Sequence, residues 1–353
     1  MLSHLRRPKV PLHPDHIDQV ASAPAASDDL TIGHPAAADA AGVAACFRAV
    51  YGEGYLHPDV YDPARYLADI ARGDLIAVVA RDPSGSVVGH LALEMGPGIA
   101  VAERGEAVVL PVCRGRGLLS RMTDQLFVDA RQRGLVGVYA IPLTVHVLSQ
   151  KNDAHAQMPI CAVLLGEEPE TTHPSGMPFP TAGQRQSYLR AFRYMSAPAP
   201  RIVGPAGPYA AMVRDLFSLL GATCVDALPD RASTPTQLTA TASPRGYAHI
   251  LAESIGPDVS DAIATSLADL ATKGTRTTRL GLPLANADLD RAIAAARALG
   301  FFFSGLGPSF LGDGDLLEMQ RLSEPLDTAK LQILTDQTKG LLAFVEADRR
   351  STP

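Results

Sequence analysis

The 353-residue chain predicts an α/β protein built as two successive domains. Three observations lead there. From residue 30 onward, short β-branched runs alternate with amphipathic helical stretches. An apolar run at residues 107–112 passes through Arg114-Gly115-Arg116-Gly117 straight into a helix, in which Leu118, Leu119, Met122, Leu126 and Ala130 recur at spacings of three and four until Gly134 closes it. The alternation then repeats after residue 198, and a single core rarely grows beyond roughly 250–300 residues.

Composition narrows the class. Hydrophobic residues make up 46% and charged residues 19%, ordinary for a globular protein in water. A net charge of −6 argues against general nucleic-acid binding, which needs a basic footprint. Cys46, Cys113, Cys161 and Cys224 are scattered without metal-ligand spacing or disulfide density, so reduced thiols in a cytoplasmic protein are expected. No run of 18 apolar residues occurs, and no membrane span is expected.

Residues 1–29, rich in Pro, Ala and Asp, read as a flexible tail; His13 and His16 there lack further ligands, so no metal is expected. A first strand covers residues 30–33. Val43, Cys46, Phe47 and Val50 mark the buried stripe of a helix. Asp62 as N-cap and Pro63 at the first helical position open a second helix, which ends near Gly73. Strands at 75–80 and 87–95 flank the turn Asp82-Pro83-Ser84-Gly85. The central strand, its glycine turn and its helix follow, then strands at 135–141, 160–166 and 187–195, with a Pro-rich loop at 171–181 before the last.

In the second half, Tyr209, Met212, Val213, Leu216, Leu219 and Leu220 stripe a helix ending at Gly221. A strand (248–255), a helix (259–270), a strand (279–284) and a helix (289–299) come next, and residues 300–305 lead to a closing strand at 315–322. Leu331, Leu334, Leu341 and Val345 place an amphipathic helix in the tail, 326–348, suited to docking on a domain or a second subunit. The expected division is a tail (1–29), a first domain (30–197), a second domain (198–325) and a terminal helix (326–353).

A strand, a glycine turn and a helix N-terminus together make an anion site. Glycines let backbone N–H groups converge, the helix dipole adds about half a positive charge, and Arg114 and Arg116 add forked donors. The mononucleotide loop is excluded because no Lys-Ser or Lys-Thr follows the second glycine, and the dinucleotide fingerprint because Ser120 holds its third glycine position. The run Leu110-Pro111-Val112-Cys113-Arg114-Gly115-Arg116-Gly117-Leu118-Leu119 resembles the acetyl-CoA loop of the GCN5-related N-acetyltransferases, whose pattern is Arg/Gln-x-x-Gly-x-Gly/Ala. Arg114 and Gly117 match; Leu119 stands where Gly or Ala is usual. The order of β, α, α, three strands, α and β fits that family as well.

The resemblance implies the acyl-CoA N-acyltransferase fold, a mixed sheet with helices, in two tandem copies. The second copy is degenerate: Ser254-Ile255-Gly256-Pro257-Asp258 stands where the loop belongs, without its arginines. It implies further that Leu110, Val112, Arg114, Gly115, Arg116, Gly117, Leu118 and Leu119 hold acetyl-CoA, or another acyl-CoA or phosphopantetheine thioester, with no metal. Ser149, in the Ser-Gln-Lys that opens a fourth helix, is then a contact for the pantetheine arm.

The implied reaction moves an acyl group from the thioester to an amine by direct attack. Glu106, at the start of the central strand and sharing a face with Val108 and Leu110, is the candidate base; Glu94 and His146 are further candidates. The tyrosine that many members use as acid is missing, for residues 151–157 offer only Lys, Asn, Asp, Ala, His and Gln. Tyr55, His57 and Tyr61, between the first two helices, are candidates for binding a small-molecule amine. A protein lysine is also open as acceptor. One alternative is an acyl donor tethered to a carrier protein, met by Arg114, Arg116, Arg121, Arg131 and Arg133; another is a non-catalytic CoA-binding sensor or scaffold.

Overall fold

The computed structural model describes residues 29–353 except 56, 97, 172–182, 227–234 and 313. The expected tail, with His13 and His16, and nearly all of the Pro-rich loop lie outside the described residues. The first half runs β1 (Thr31–Gly33), α1 (Ala40–Tyr51), α2 (Pro63–Arg72), β2 (Leu75–Arg81), β3 (Val87–Met95), β4 (Val101–Val109), α3 (Leu118–Gln132), β5 (Gly137–Ala140), α4 (Leu148–His155), β6 (Ile160–Glu168) and β7 (Gln186–Tyr194). Local chemistry accounts for the helix ends. Asp62 accepts hydrogen bonds from the backbone N–H groups of Ala64 and Arg65, and Gly73 closes α2 in the left-handed conformation. Val43, Cys46 and Phe47 are buried on α1 as the spacing predicts.

The second half runs β8 (Arg201–Ile202), α5 (Ala210–Leu219), β9 (Cys224–Val225), β10 (Gln237–Ala242), β11 (Tyr247–Ser254), α6 (Val259–Thr272), β12 (Thr277–Pro283), α7 (Leu289–Ala298), β13 (Phe302–Leu311) and β14 (Gly314–Leu322), and α8 (Asp336–Ser351) ends the chain. One mixed sheet of twelve strands has the order β1-β2-β3-β4-β5-β7-β6-β13-β14-β12-β11-β10. Read outward from its centre, the two sides match. β6-β7-β5-β4-β3 on one side answers β13-β14-β12-β11-β10 on the other, with the same sequence of antiparallel and parallel pairings. The fold is thus a mixed α/β sheet repeated, with β6 and β13 meeting at the join.

That join is narrow and then crosses. β6 and β13 share one register pair, Gly305 with Ala162. Gly305 has φ 147°, and a Cβ there would lie 2.3 Å from the Cys161 carbonyl oxygen, so only glycine lets the backbones approach. Beyond the crossing, Gln320 of β14 accepts from Leu165 N at 2.9 Å, and Thr277 of β12 donates to Gly166 O at 2.7 Å. Buried charged side chains meet there: Arg190 with Glu318 at 2.6 Å, both 0% exposed, and Arg279 with Glu167 at 2.7 Å.

Four expectations change. The central strand covers Val101–Val109 rather than residues 107–112, because Pro111 has no N–H to extend a ladder and opens a short 3₁₀ turn, Pro111–Cys113. Glu106 therefore sits inside β4, at a bulge, and does not share a simple alternating face with Val108 and Leu110. β10 and β13 are strands that the sequence pattern did not separate. The terminal helix begins at Asp336, capped by the Thr335 side chain; Leu331 and Leu334 lie in an extended stretch before it, and Leu341 and Val345 are buried as α8 packs across β13 and β6.

Candidate functional site

β4 and β5 pair in parallel only from Val101–Glu103 to Gly137–Tyr139. Beyond that point they part. Two causes are visible in the chain. At β4 the register to β3 jumps between Ala92–Gly105 and His90–Val108, so Glu106 and Ala107 together oppose Leu91 and the strand bends away. Glu106 takes φ 48°, a conformation rare for a residue with a side chain. On the other side, β5 ends at Ala140 and Pro142 follows.

Tertiary contacts hold the bulge. The His90 ring nitrogen Nδ1 is 2.7 Å from Glu106 O, and the Tyr51 hydroxyl donates to Ala107 O at 3.0 Å. The gap between the strands is a cleft of about 610 Å³, part of it open to solvent. Its walls include Glu103, Glu106, Tyr55 and Leu119 on one side, and Ile141, Ser149 and Asp153 on the other.

Leu119 of α3 lines the cleft, and the glycine turn stands just before it in the chain. Gly115 (φ 74°) and Gly117 (φ 68°) are both left-handed, Gly117 is the N-cap of α3, and a Cβ at either would meet nothing within 4 Å. An open concave face of backbone N–H groups at a helix start fits phosphate oxygens. Arg114 is half-buried and donates from Nε to Val109 O at 3.2 Å, bracing the end of β4; its Nη1 is buried with no hydrogen-bond partner among the described residues. Arg116 and Val112 are exposed, Leu118 is buried against the core, and Leu110 is half-buried. Ser149 Oγ lines the cleft, buried and without a hydrogen-bond partner among the described residues. Buried donors left open at these two places fit a long arm carrying a phosphate group and amide carbonyls.

The candidate acceptor residues separate into two groups. Tyr55 lies on the cleft wall, packed among Phe47 at 4.6 Å, Tyr51 at 4.9 Å and His57 at 5.8 Å between ring centroids. His57 Nδ1 is 3.8 Å from Glu94 Oε2. The ligand atoms of His57, Glu94 and Glu106 all lie within 4.8 Å of one another, an arrangement able to hold a cation, whether metal ion or ammonium. Tyr61 stands apart: its hydroxyl donates to Gly52 O at 2.7 Å and accepts from Tyr55 N at 3.1 Å, so it braces the loop. His146 is 5% exposed and accepts from Leu148 N through Nδ1 at 3.3 Å; it lies behind the start of α4 and is not among the cleft-wall residues.

Other wall residues carried no sequence signal. Glu103 faces Glu94 across β3 and β4, accepts the Tyr139 hydroxyl at 3.3 Å, and adds a carboxylate to the cleft. Arg104 pairs with Asp153 of α4 and donates to Thr123 Oγ1 at 3.1 Å. The loop before α4 is held from the far end of the chain: Gln332 N donates to Thr144 O at 2.7 Å, and Gln150 donates to Gln332 O at 2.8 Å.

Among the described residues, the corresponding parallel pair of the second half does not part as early. β11 and β12 stay paired over five positions, Tyr247–Leu251 with Thr277–Gly281. Where α6 begins, Gly256 N donates to Thr236 Oγ1 at 2.9 Å and Thr236 N donates to Asp258 Oδ1 at 2.7 Å, so the chain itself occupies that helix start.

No protein-family model and no curated sequence matches the chain. Solved structures similar to about half of it are acetyltransferases. A GNAT superfamily phosphinothricin acetyltransferase from Sinorhizobium meliloti, solved with acetyl-CoA, is 17% identical at a TM-score of 0.38, over 47% of this chain and 88% of that one. The putative acetyltransferase yncA from Salmonella typhimurium, also with acetyl-CoA, is 17% identical at 0.39, over 49% and 97%. A ribosomal-protein-alanine N-acetyltransferase from Brucella melitensis is 18% identical at 0.37, over 46% and 99%.

Proposed function

We propose that the chain is an N-acyltransferase that takes an acyl group from a CoA thioester and gives it to a small-molecule amine, and that its first half, about residues 30–197, carries the active site. The observation that carries this is the cleft itself: two parallel strands forced apart by a bulge at Glu106, with Leu119, just past the Gly115–Gly117 turn at the start of α3, on its wall. A CoA thioester, when bound, supplies an activated acyl carbon whose bond to sulfur is weaker than an amide's.

The chain's own residues divide the remaining work. Backbone N–H groups of the turn and the exposed Arg116 hold the diphosphate. Ser149 Oγ and the unpaired edges of β4 and β5 orient the arm between the strands. Glu94, Glu106 and His57 form an anionic pocket in which an ammonium is held and deprotonated, Glu106 being the carboxylate that reaches the cleft wall. Tyr55 presents a flat apolar face to the acceptor beside it. The second half, about residues 198–325, buttresses β5, β6 and β7 and binds no thioester.

Calorimetric titration with CoA, followed by thiol release from acetyl-CoA against a panel of amines, tests this. Binding in the micromolar range with one CoA per chain and amine-dependent thiol release is the expected result. Absence of binding defeats the reading, and binding without release with any amine favours a sensor. Among the arginines that would meet a carrier protein, Arg121 donates to Leu30 O at 3.0 Å and Arg133 to Gly73 O at 3.0 Å, so both have partners within the chain. Free CoA is therefore the preferred donor.

A further inference from the structure

We propose that Asp153 of α4 is the acid of this site, its Oδ2 carrying the proton that the departing sulfur takes; the proposal rests on the acyl-transfer reading above. Glu106 and Asp153 stand on the two walls of one cleft, the first on the bulge of β4 and the second on α4. Ser149 and Asp153 are one helical turn apart and share the cleft-facing side of α4.

The carboxyl group is held in a way that leaves one oxygen without a partner. Arg104 could grip a carboxylate with two parallel hydrogen bonds, the stronger arrangement. Instead Nη2 goes to Asp153 Oδ1 and Nη1 goes to Thr123 Oγ1. Asp153 Oδ2 is buried and has no hydrogen-bond partner among the described residues, although the residue is only 2% exposed. Leaving a buried carboxylate oxygen unpaired costs about 1–3 kcal/mol, and here the residue that bears the cost lines the cleft.

The electrostatics agree with the geometry. Burial raises the Asp153 carboxyl from 3.8 to about 6, against the opposing pull of Arg104. The carboxyl thus holds its proton to a higher pH than an ordinary aspartate, and negative charge growing on a nearby sulfur strengthens that hold. The other charged groups lining the same cleft are Glu103 and Glu106 from β4, and Arg193 from β7 donates through Nη1 to Ala156 O just past α4 at 2.8 Å. In the balanced step, the amine nitrogen forms a bond to the acyl carbon and the carbon–sulfur bond breaks. The nitrogen's proton goes to Glu106, and sulfur takes the proton of Asp153. Solvent exchange then resets both carboxyl groups.

The test uses CoA itself, so no acceptor is needed. Ultraviolet absorbance of the thiolate of bound CoA is titrated with pH in the wild type and in Asp153→Asn. An ionised Asp153 beside the sulfur opposes the thiolate, so the bound thiol is expected to titrate about one pH unit lower in the variant, a tenfold change in proton affinity. Identical titrations in the two proteins overturn the proposal. Failure of the wild type to bind CoA is a different result, and it removes the acyl-transfer reading instead. Because Asp153→Asn leaves Arg104 buried without its partner and can fail to fold, the wild type is also titrated with CoA and with dethio-CoA between about pH 5 and 8. Their affinity ratio is expected to change several-fold through about pH 6 as Asp153 ionises. A flat ratio rejects the assignment.

Discussion

Phe310 of β13 lies against Tyr139 of β5 with ring centroids 4.9 Å apart, and the Tyr139 hydroxyl donates to Glu103 Oε2 on the wall of the cleft. A residue of the second half thus presses directly on the support of the first half's site. Arg190 adds to the contact, its guanidinium carbon 4.6 Å from the Phe310 ring centre. Phe310→Ala is expected to cost about 3–5 kcal/mol, because it empties a fully buried volume between the two halves. Tyr139→Phe keeps the ring contact and removes one hydrogen bond, worth about 1 kcal/mol. Urea unfolding of both variants, with CoA calorimetry on the folded proteins in the absence of urea, reads the two effects. Equal losses in both would show that the ring packing contributes little.

Gly117→Val should lower CoA affinity at least tenfold while leaving the fold intact. Nothing within 4 Å would clash with the new Cβ, so the cost within the protein is conformational, about 1–2 kcal/mol for a left-handed residue with a side chain. The larger effect is steric, since the added methyl groups stand where phosphate oxygens must approach the backbone. The same titration should give one CoA per chain, the start of α6 being occupied by Thr236 and Asp258. Two equivalent sites, or unchanged affinity in the variant, would contradict the site as placed.

Glu106→Gln should retain CoA affinity and lower turnover by roughly a hundred- to ten-thousand-fold, since a carboxamide cannot accept the amine's proton. His146→Ala serves as the comparison. With its ring behind α4 rather than on the cleft wall, a loss below about tenfold is expected. A greater loss in the histidine variant would move the base role there.

His249 governs an acid sensitivity. It is 2% exposed, and neither ring nitrogen has a hydrogen-bond partner among the described residues. Burial lowers its pKa from 6.5 to about 3, with the nearby Arg279 and Arg190 charges acting in the same direction and Glu318 against them. The unfolded chain therefore binds a proton below pH 6.5 that the folded chain refuses. The stability from this group is present above that pH and is lost as pH falls toward about 3, up to about 5 kcal/mol in all. His249→Leu should match or exceed the wild type at pH 7 and show a shallower decline between pH 6 and 4, measured by thermal melts across pH. An unchanged slope would place the acid sensitivity elsewhere.

At the crossing of β6 and β13, Gly305→Val should abolish soluble expression or lower the melting temperature by more than any surface change. Its Cβ would stand 2.3 Å from Cys161 O and 2.4 Å from Ala162 Cα, both backbone atoms that cannot give way separately. Gly312→Ala is the control, a left-handed glycine with nothing within 4 Å. Its effect should stay near the cost of the conformation alone, about 1–2 kcal/mol.

What could be read without coordinates was whatever depends on neighbours in the chain. Asp62-Pro63 announced α2 because a capping carboxylate and a fixed φ act within one turn, and Gly117 announced the start of α3 because its freedom at positive φ is its own. The repeated alternation disclosed a second copy, and residues 254–258 of that copy carry no arginine. What only the tertiary structure decided depends on partners far away. The bulge at Glu106 exists because His90 and Tyr51 hold its carbonyls, from 16 and 56 residues off, and no periodicity contains that information. Asp153 was one polar residue on a short helix until Arg104, 49 residues away, took one of its oxygens and left the other without a partner in a residue that lines the cleft. Phe310 and Gly305 had no visible role because the seam they form is made by strands about 145 residues apart, and packing at that range is set by the shape of the whole sheet rather than by any local run of residues.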